Sequence, residues 1–223
     1  MKTDTKTASL LFKALFALLM LLLNFNTAKA QYNWKLATEK EGIKVYMSEI
    51  AESKIKALKV ECTFQTNLSQ LTAVLMDIKT APEWVYATKS CTVLKQVSPT
   101  EIYYYSEVKL PWPVQNRDFV AHLTATQNPD TKVVTIDGPV VGGMVPVKEG
   151  IVRVDHSRGK WVLTPAGNAV KIEYTLQTDP GGTIPAWIVN LFASEGPMQS
   201  FKNLKLQLQK PAYKNVSASY IRN

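Results

Sequence analysis

Apolar and polar residues alternate through most of the chain, and two stretches switch to helical spacing. Ile43, Val45 and Met47 are separated by polar residues, and Leu58, Val60, Cys62 and Phe64 share one face of a second run, Ile55 to Gln65. Both runs predict half-buried strands. Leu68, Leu71, Val74, Leu75 and Ile78 then recur at helical intervals behind Asn67 or Ser69, either of which can cap a helix running to about Ile78. Pro82-Glu83-Trp84 opens a second short helical turn. Alternation resumes in Ser90 to Val97, Ile102 to Lys109, Arg117 to Gln127, Val133 to Asp137, Ile151 to His156, Lys160 to Thr164 and Val170 to Thr178. Ser98-Pro99, Asn128-Pro129-Asp130, Ser157-Arg158-Gly159 and Ala166-Gly167-Asn168 supply the turns between them. Tyr32 to Glu41, containing Trp34 and ended by Gly42, reads as a short N-terminal helix.

The last element is a long amphipathic helix. Asp179-Pro180-Gly181-Gly182 stops the preceding strand, and Thr183 or Ile184 can cap the helix with Pro185 in its first turn. Ile188, Leu191, Phe192, Met198, Phe201, Leu204 and Leu208 give it an apolar face. Gly196-Pro197 is expected to kink it and Pro211 to end it, with residues 212–223 as a tail. The long antiparallel run implies a large, strongly curved sheet, whose concave face this helix can cover. The pattern leaves open whether the space between them is filled or hollow.

The N-terminus changes the picture of where the chain works. Lys2, Lys6 and Lys13 precede or interrupt an apolar stretch, Ala14 to Leu23 is unbroken, and Ala28-Lys29-Ala30 is a small-x-small site. These features predict a signal peptide over residues 1–30, cleaved after Ala30, and a periplasmic or secreted mature chain. The apolar run is shorter than the roughly 20 residues a membrane span needs. The leader holds four Lys and one Asp, so its removal lowers the formal net charge from +8 to +5. The remaining basic residues are scattered, which suits loose contact with an anionic membrane and is no signature of nucleic-acid binding. Cys62 and Cys91 are expected to be buried free thiols, although export permits a disulfide.

Glu41-Gly42-Ile43-Lys44-Val45-Tyr46, Ala81-Pro82-Glu83-Trp84, Pro111-Trp112-Pro113 with Arg117-Asp118-Phe119-Val120, Val152-Arg153, Trp161 to Pro165, and Gly181-Gly182-Thr183-Ile184-Pro185-Ala186-Trp187-Ile188-Val189-Asn190 follow one another in order. This ordered set resembles the START family of lipid-transfer domains within the helix-grip superfamily, over about Trp34 to Leu208. The resemblance implies an α+β helix-grip fold: a curved antiparallel β-sheet wrapped around a long C-terminal α-helix, with an internal hydrophobic tunnel. It implies a lipid-binding domain over residues 31–211 that holds one lipid or similar hydrophobe, with no catalysis and no cofactor. A monomer in transient contact with a membrane surface is the expected state.

Alternation puts Phe119, Ala121, Leu123 and Ala125 on one face, the drier one, which is assigned to the tunnel. By analogy with the family, Tyr104 and Ser106 face inward. Trp187, Leu191 and Phe192 are wall candidates on the C-terminal helix, and Trp84 lines the tunnel or seals its end. Sterol-carrying members have a buried acid–arginine pair on these strands where this chain has Tyr104 and Leu123, so a sterol met by a charge pair is not expected. Arg117 and Asp118 point opposite ways and are read as tying a strand end to a loop, with a ligand contact as the alternative. The segment Pro139 to Lys148 combines two glycines with Val140, Val141, Met144, Val145 and Val147. It reads either as a lid that touches membrane through Val141, Met144 and Val145, or as a loop packed on the helix.

The two histidines, His122 and His156, sit in no recognisable nucleophile, base or zinc arrangement, and Gly138 to Gly143 lacks the lysine of a phosphate-binding loop. The superfamily nevertheless includes cyclases and hydrolases that use the same cavity. An enzyme and a ligand-free interaction module therefore stand as alternatives.

Overall fold

The computed structural model describes residues 32–49, 56–185, 188, 195–216 and 218–223. In chain order the elements are β1 (Lys35–Lys40), β2 (Ile43–Glu49), β3 (Lys56–Phe64), α1 (Leu68–Met76), a 3₁₀ turn (Ile78–Thr80), α2 (Ala81–Trp84), β4 (Thr88–Ser98), β5 (Glu101–Val108) and β6 (Asn116–Gln127). They continue with β7 (Val134–Pro139), β8 (Ile151–Arg153), β9 (His156–Ala166), β10 (Ala169–Asp179), α3 (Gly196–Gln207) and α4 (Pro211–Lys214). One sheet runs in the order β1-β2-β3-β10-β9-β7-β6-β5-β4, with β8 pairing alongside β6. All pairs are antiparallel except β6 with β8. The sheet is curved and unclosed, with β1 and β4 as its edges. With α3 against it, this is the α+β helix-grip architecture expected from the sequence.

Three local expectations are corrected. Tyr32 to Glu41 contributes a strand, β1, rather than a helix. Glu41 (φ 54) and Gly42 (φ 75) form a two-residue turn in left-handed geometry, which folds Lys40 back onto Ile43. Such turns match the twist of paired strands and lock a hairpin. Ser157-Arg158-Gly159 lies within β9, where Gly159 pairs with Gly138 and Leu176. The chain instead breaks at Val154 and Asp155, just past the last β6–β8 ladder bond, which runs from the Val154 N–H to the Asp118 carbonyl at 2.9 Å. Residues 212–223 are not a loose tail: Tyr213, Ala218 and Ile221 are buried in the core, and Asn223 Oδ1 accepts the Ser69 N–H at 2.9 Å.

Asn67 is the cap of α1, its Oδ1 accepting the Gln70 N–H at 2.8 Å. Ser69 is buried instead, its hydroxyl accepting the Ala218 N–H at 2.5 Å. Gly196 and Pro197 occupy the first turn of α3, where proline costs no hydrogen bond. Ile188 is helical and buried, with its N–H on the Pro185 carbonyl at 3.0 Å. The expected continuous helix across 186–194, like the expected signal peptide, falls largely outside the described residues. Among the described residues no helix is long and apolar enough to cross a membrane.

The concave face is filled at one end and hollow at the other. Phe64, Val134, Leu163, Val170 and Ile172 pack under α1 and the C-terminal half of α3, where Leu204 is wholly buried. Further along the same strands the inward positions are Leu176 on β10, Gly159 on β9, Gly138 on β7 and Ala121 on β6, and these border empty space. Strand periodicity dictates that each of these residues faces inward. Side-chain size then decides whether the interior closes.

Candidate functional site

The hollow end is a cavity of about 410 Å³ between the sheet, α2 and α3. That is within the range of roughly 300–1,000 Å³ in which small-molecule sites fall. Its walls are mostly apolar: Met47, Leu58, Leu75, Val108, Leu110 and Val140 with neighbouring side chains. An aromatic cluster separates it from the filled core. Trp161 stands at its centre, 5.4 Å from Phe201, 4.3 Å from Tyr174 and 6.3 Å edge-on from Trp84, measured between ring centroids. Two glycines make room for wall side chains. A β-carbon at Gly138 would meet Leu123 Cδ1 at 3.0 Å, and one at Gly159 would meet the Tyr174 hydroxyl at 3.3 Å.

Trp84, Tyr104, Ser106, Phe119, Ala121 and Leu123 all line this cavity. Tyr104 stands edge-on to Phe119 at 6.0 Å and pairs with Ala121 across the β5–β6 ladder, so Leu123 is its diagonal neighbour. Trp187, Leu191 and Phe192 lie outside the described residues. From the 139–148 segment only Pro139's neighbour Val140 reaches the wall; Val141, Met144 and Val145 do not. The segment is held at both ends. Val141 donates to the Val120 carbonyl at 2.9 Å, and Arg153 donates to the Val145 and Pro146 carbonyls at 3.1 Å each. Trp161, Tyr174 and Phe201 were not singled out as site residues from the sequence. Continuing the inward face from Ile172 to Tyr174 and Leu176 would have found the second of them.

Polar groups on the wall are few. Burial pushes the Tyr104 and Tyr174 phenols well above their ordinary range, so both remain neutral hydroxyls. The Trp84 indole N–H is buried and meets no acceptor. Cys91 and Cys62 are free. Cys91 donates to Ser106 Oγ at 3.4 Å and its thiol pKa is raised by burial, while burial alone pushes the Cys62 thiol up to about 12. Neither is a reactive thiolate at neutral pH.

Arg117 and Asp118 diverge as the strand geometry requires. Asp118 accepts from Arg153 Nε at 2.7 Å and Nη2 at 3.1 Å, and from the Tyr105 hydroxyl at 3.0 Å. Burial raises its carboxyl pKa, but Arg153 and Tyr105 outweigh that, and the net movement is downward. Arg117 turns the other way and borders the cavity beside Pro180 and Ile184. It donates to the carbonyls of Pro180 at 3.3 Å, Gly181 at 3.2 Å, and Gln115. Each of the two thus ties the strand to a loop. His122 is bonded to Glu101 at 2.9 Å and stacked on Tyr103 at 4.1 Å, on the opposite face of the sheet from Tyr104, and His156 is exposed. Among the described residues no group of three or more His, Cys, Asp or Glu side chains is placed to hold a metal.

Residues 17–214 match the START domain family. The uncharacterized protein PA1579 of Pseudomonas aeruginosa is 32% identical over 185 residues, spanning 80% of this chain and 88% of that protein. Phosphatidylcholine transfer protein of Bos taurus is 29% identical over 177 residues, spanning 77% of this chain and 82% of that protein. The crystal structure of a STAR-related lipid transfer protein fragment from Xanthomonas axonopodis superposes with a TM-score of 0.72 at 32% identity, covering 79% of this chain and 99% of that one. The chain belongs to the START domain family.

Proposed function

We propose that the protein binds one lipid or similar hydrophobic molecule in its cavity and carries it between membranes outside the cytoplasm. The observation that carries this reading is the largely apolar space of about 410 Å³ in a member of a family whose similar proteins include lipid and phosphatidylcholine transfer proteins. Each CH₂ exposed to water costs about 0.8 kcal/mol, so a carrier must offer a chain the same apolarity that the bilayer does.

The direct test is native mass spectrometry of the purified mature chain, followed by organic extraction. A co-purifying hydrophobe at one per chain is the expected result. A chain that arrives empty and takes up no offered lipid would reject the reading. The leader, residues 1–30, fits removal on export; a secreted product beginning before Gln31 would count against that.

Entry and exit suit one end of the sheet. Asn116 pairs with Ile151, so the segments preceding β6 and β8 lie side by side. They expose Trp112 (91%), Val147 (70%) and Met144 (41%), and Leu110, Val154 and Ile184 border the cavity close by. Exposed aromatic and aliphatic side chains of this kind partition into a membrane interface. Membrane contact is therefore assigned to Met144 and Val147 with Trp112, rather than to the half-buried Val141 and Val145. Changing Trp112 and Val147 to Ser is expected to slow vesicle-to-vesicle lipid transfer at least fivefold while leaving the bound fraction unchanged. A rate within twofold of the unaltered chain would remove this surface from the pathway.

A further inference from the structure

We infer that the cargo carries a negatively charged head, a carboxylate or a phosphate ester, and that Arg117 at the end of the cavity receives it. This rests on the carrier reading and adds the ligand's chemical class. Arg117 is 5% exposed, yet among the described residues no carboxylate lies within ion-pair distance of it. The carboxylate next to it in sequence, Asp118, is on the other face of the strand and is committed to Arg153 and Tyr105. Asp179, at the start of the same loop, spends Oδ1 on the Gly181 N–H at 3.0 Å. Three of the five guanidinium N–H groups reach carbonyl oxygens, of Gln115, Pro180 and Gly181. Those contacts satisfy hydrogen bonds and leave the positive charge uncompensated.

A buried cation is normally paired, because nothing else offsets the loss of its hydration. Burial alone moves the Arg117 pKa down, and no neighbouring anion moves it back. The guanidinium nevertheless stays charged, since arginine does not lose its proton in proteins. The side chain borders a largely apolar space whose lining includes Leu110, Val154, Pro180 and Ile184. A lipid whose anionic head sits there and whose chain runs toward Trp161 and Phe201 would supply the missing charge and fill the apolar volume. Gly181 and Gly182 fit this placement. Both have left-handed backbone, φ 67 and 61, and Gly181 turns its carbonyl onto the guanidinium, fixing the fork.

The test compares palmitate with cetyl alcohol, which share a chain and differ in head charge, on the mature full-length protein at pH ~8. Binding is followed by calorimetry, alongside the thermal midpoint of each variant. The unaltered protein should bind palmitate at least about tenfold more tightly than the alcohol, the value of one charge-assisted hydrogen bond. Arg117→Gln should bring that ratio near one with alcohol binding kept, and Arg117→Lys should retain part of the preference. Equal affinity for both probes in the unaltered protein would overturn the anionic-head assignment and leave the carrier reading standing. Binding of neither probe would count against the carrier reading itself. A preference for palmitate that survives in a folded Arg117→Gln would also overturn the assignment. Binding of inorganic phosphate, with equal affinity for palmitate and the alcohol, would mean that the site takes a free anion, and would do the same.

Discussion

Asp118 is 1% exposed, and both of its carboxylate oxygens are occupied by Arg153 and Tyr105. Breaking such a buried pair leaves an uncompensated cation. Asp118→Asn is therefore expected to lower stability by about 3 kcal/mol at neutral pH. The folded carboxyl ionises below its unfolded value, so its contribution is complete above ~3.9 and is lost as the pH falls through the lower, folded value. Urea denaturation across an acid series should show the gap between the two proteins closing in that window; a gap independent of pH would refute the assignment. The divergence of Arg117 and Asp118 was legible in the sequence, because adjacent strand residues face opposite ways. Their partners were not, since Arg153, Pro180 and Gly181 lie 35 or more positions away and reach these side chains only through sheet pairing. The orphan indole N–H of Trp84 was equally invisible: a tryptophan in a short helical turn predicts burial, not the absence of an acceptor.

At the scale of elements, strongly periodic segments were read well and weakly patterned ones were not. β3 carries Leu58, Val60, Cys62 and Phe64 on one face, and α1 buries Leu68, Leu71, Val74 and Leu75 together with Ser69 and Thr72, so both segments formed where their period placed them. β1 has no apolar face: Lys35–Lys40 is exposed or half-exposed throughout, so its identity comes from the Glu41-Gly42 turn and from pairing with β2. Ser157-Arg158-Gly159 has turn composition, but pairing on both sides holds it extended, with Arg158 gripping Asp137 through two contacts of 2.7 Å. The C-terminal segment was misread for a related reason, since its buried residues are too sparse to show a period. Tyr213 donates to Asp77 Oδ2 at 2.7 Å, and Ala218 and Ile221 are buried beside α1. Burying a large side chain is worth about 1.5–3 kcal/mol. A chain ending at Lys210 should therefore lose at least about 3 kcal/mol in urea denaturation; stability within 1 kcal/mol of the full chain would restore the loose-tail reading.

At the scale of the molecule, the hollow end sets stability against binding. Unfilled interior volume costs on the order of 24 cal/mol per Å³ where it is enclosed, so a space of about 410 Å³ forgoes packing energy that a closed interior would have. The whole net stability of a domain is about 5–15 kcal/mol. Sequence patterning did not reveal this hollow because it fixes which residues face inward, whereas the volume depends on small residues falling opposite one another on different strands, such as Gly138 and Gly159. Ala121 offers a way to weigh the two demands. It is buried on β6, faces the cavity and stands across from Tyr104. In a packed core a larger residue there would cost about 1–3 kcal/mol through strain. In a hollow one, Ala121→Phe should leave the ligand-free protein at least as stable as before, and should reduce lipid uptake tenfold or more. Stability is read by urea denaturation of delipidated samples and uptake by native mass spectrometry. Loss of stability with uptake unchanged would mean that the interior at Ala121 is closed and that the cargo sits elsewhere.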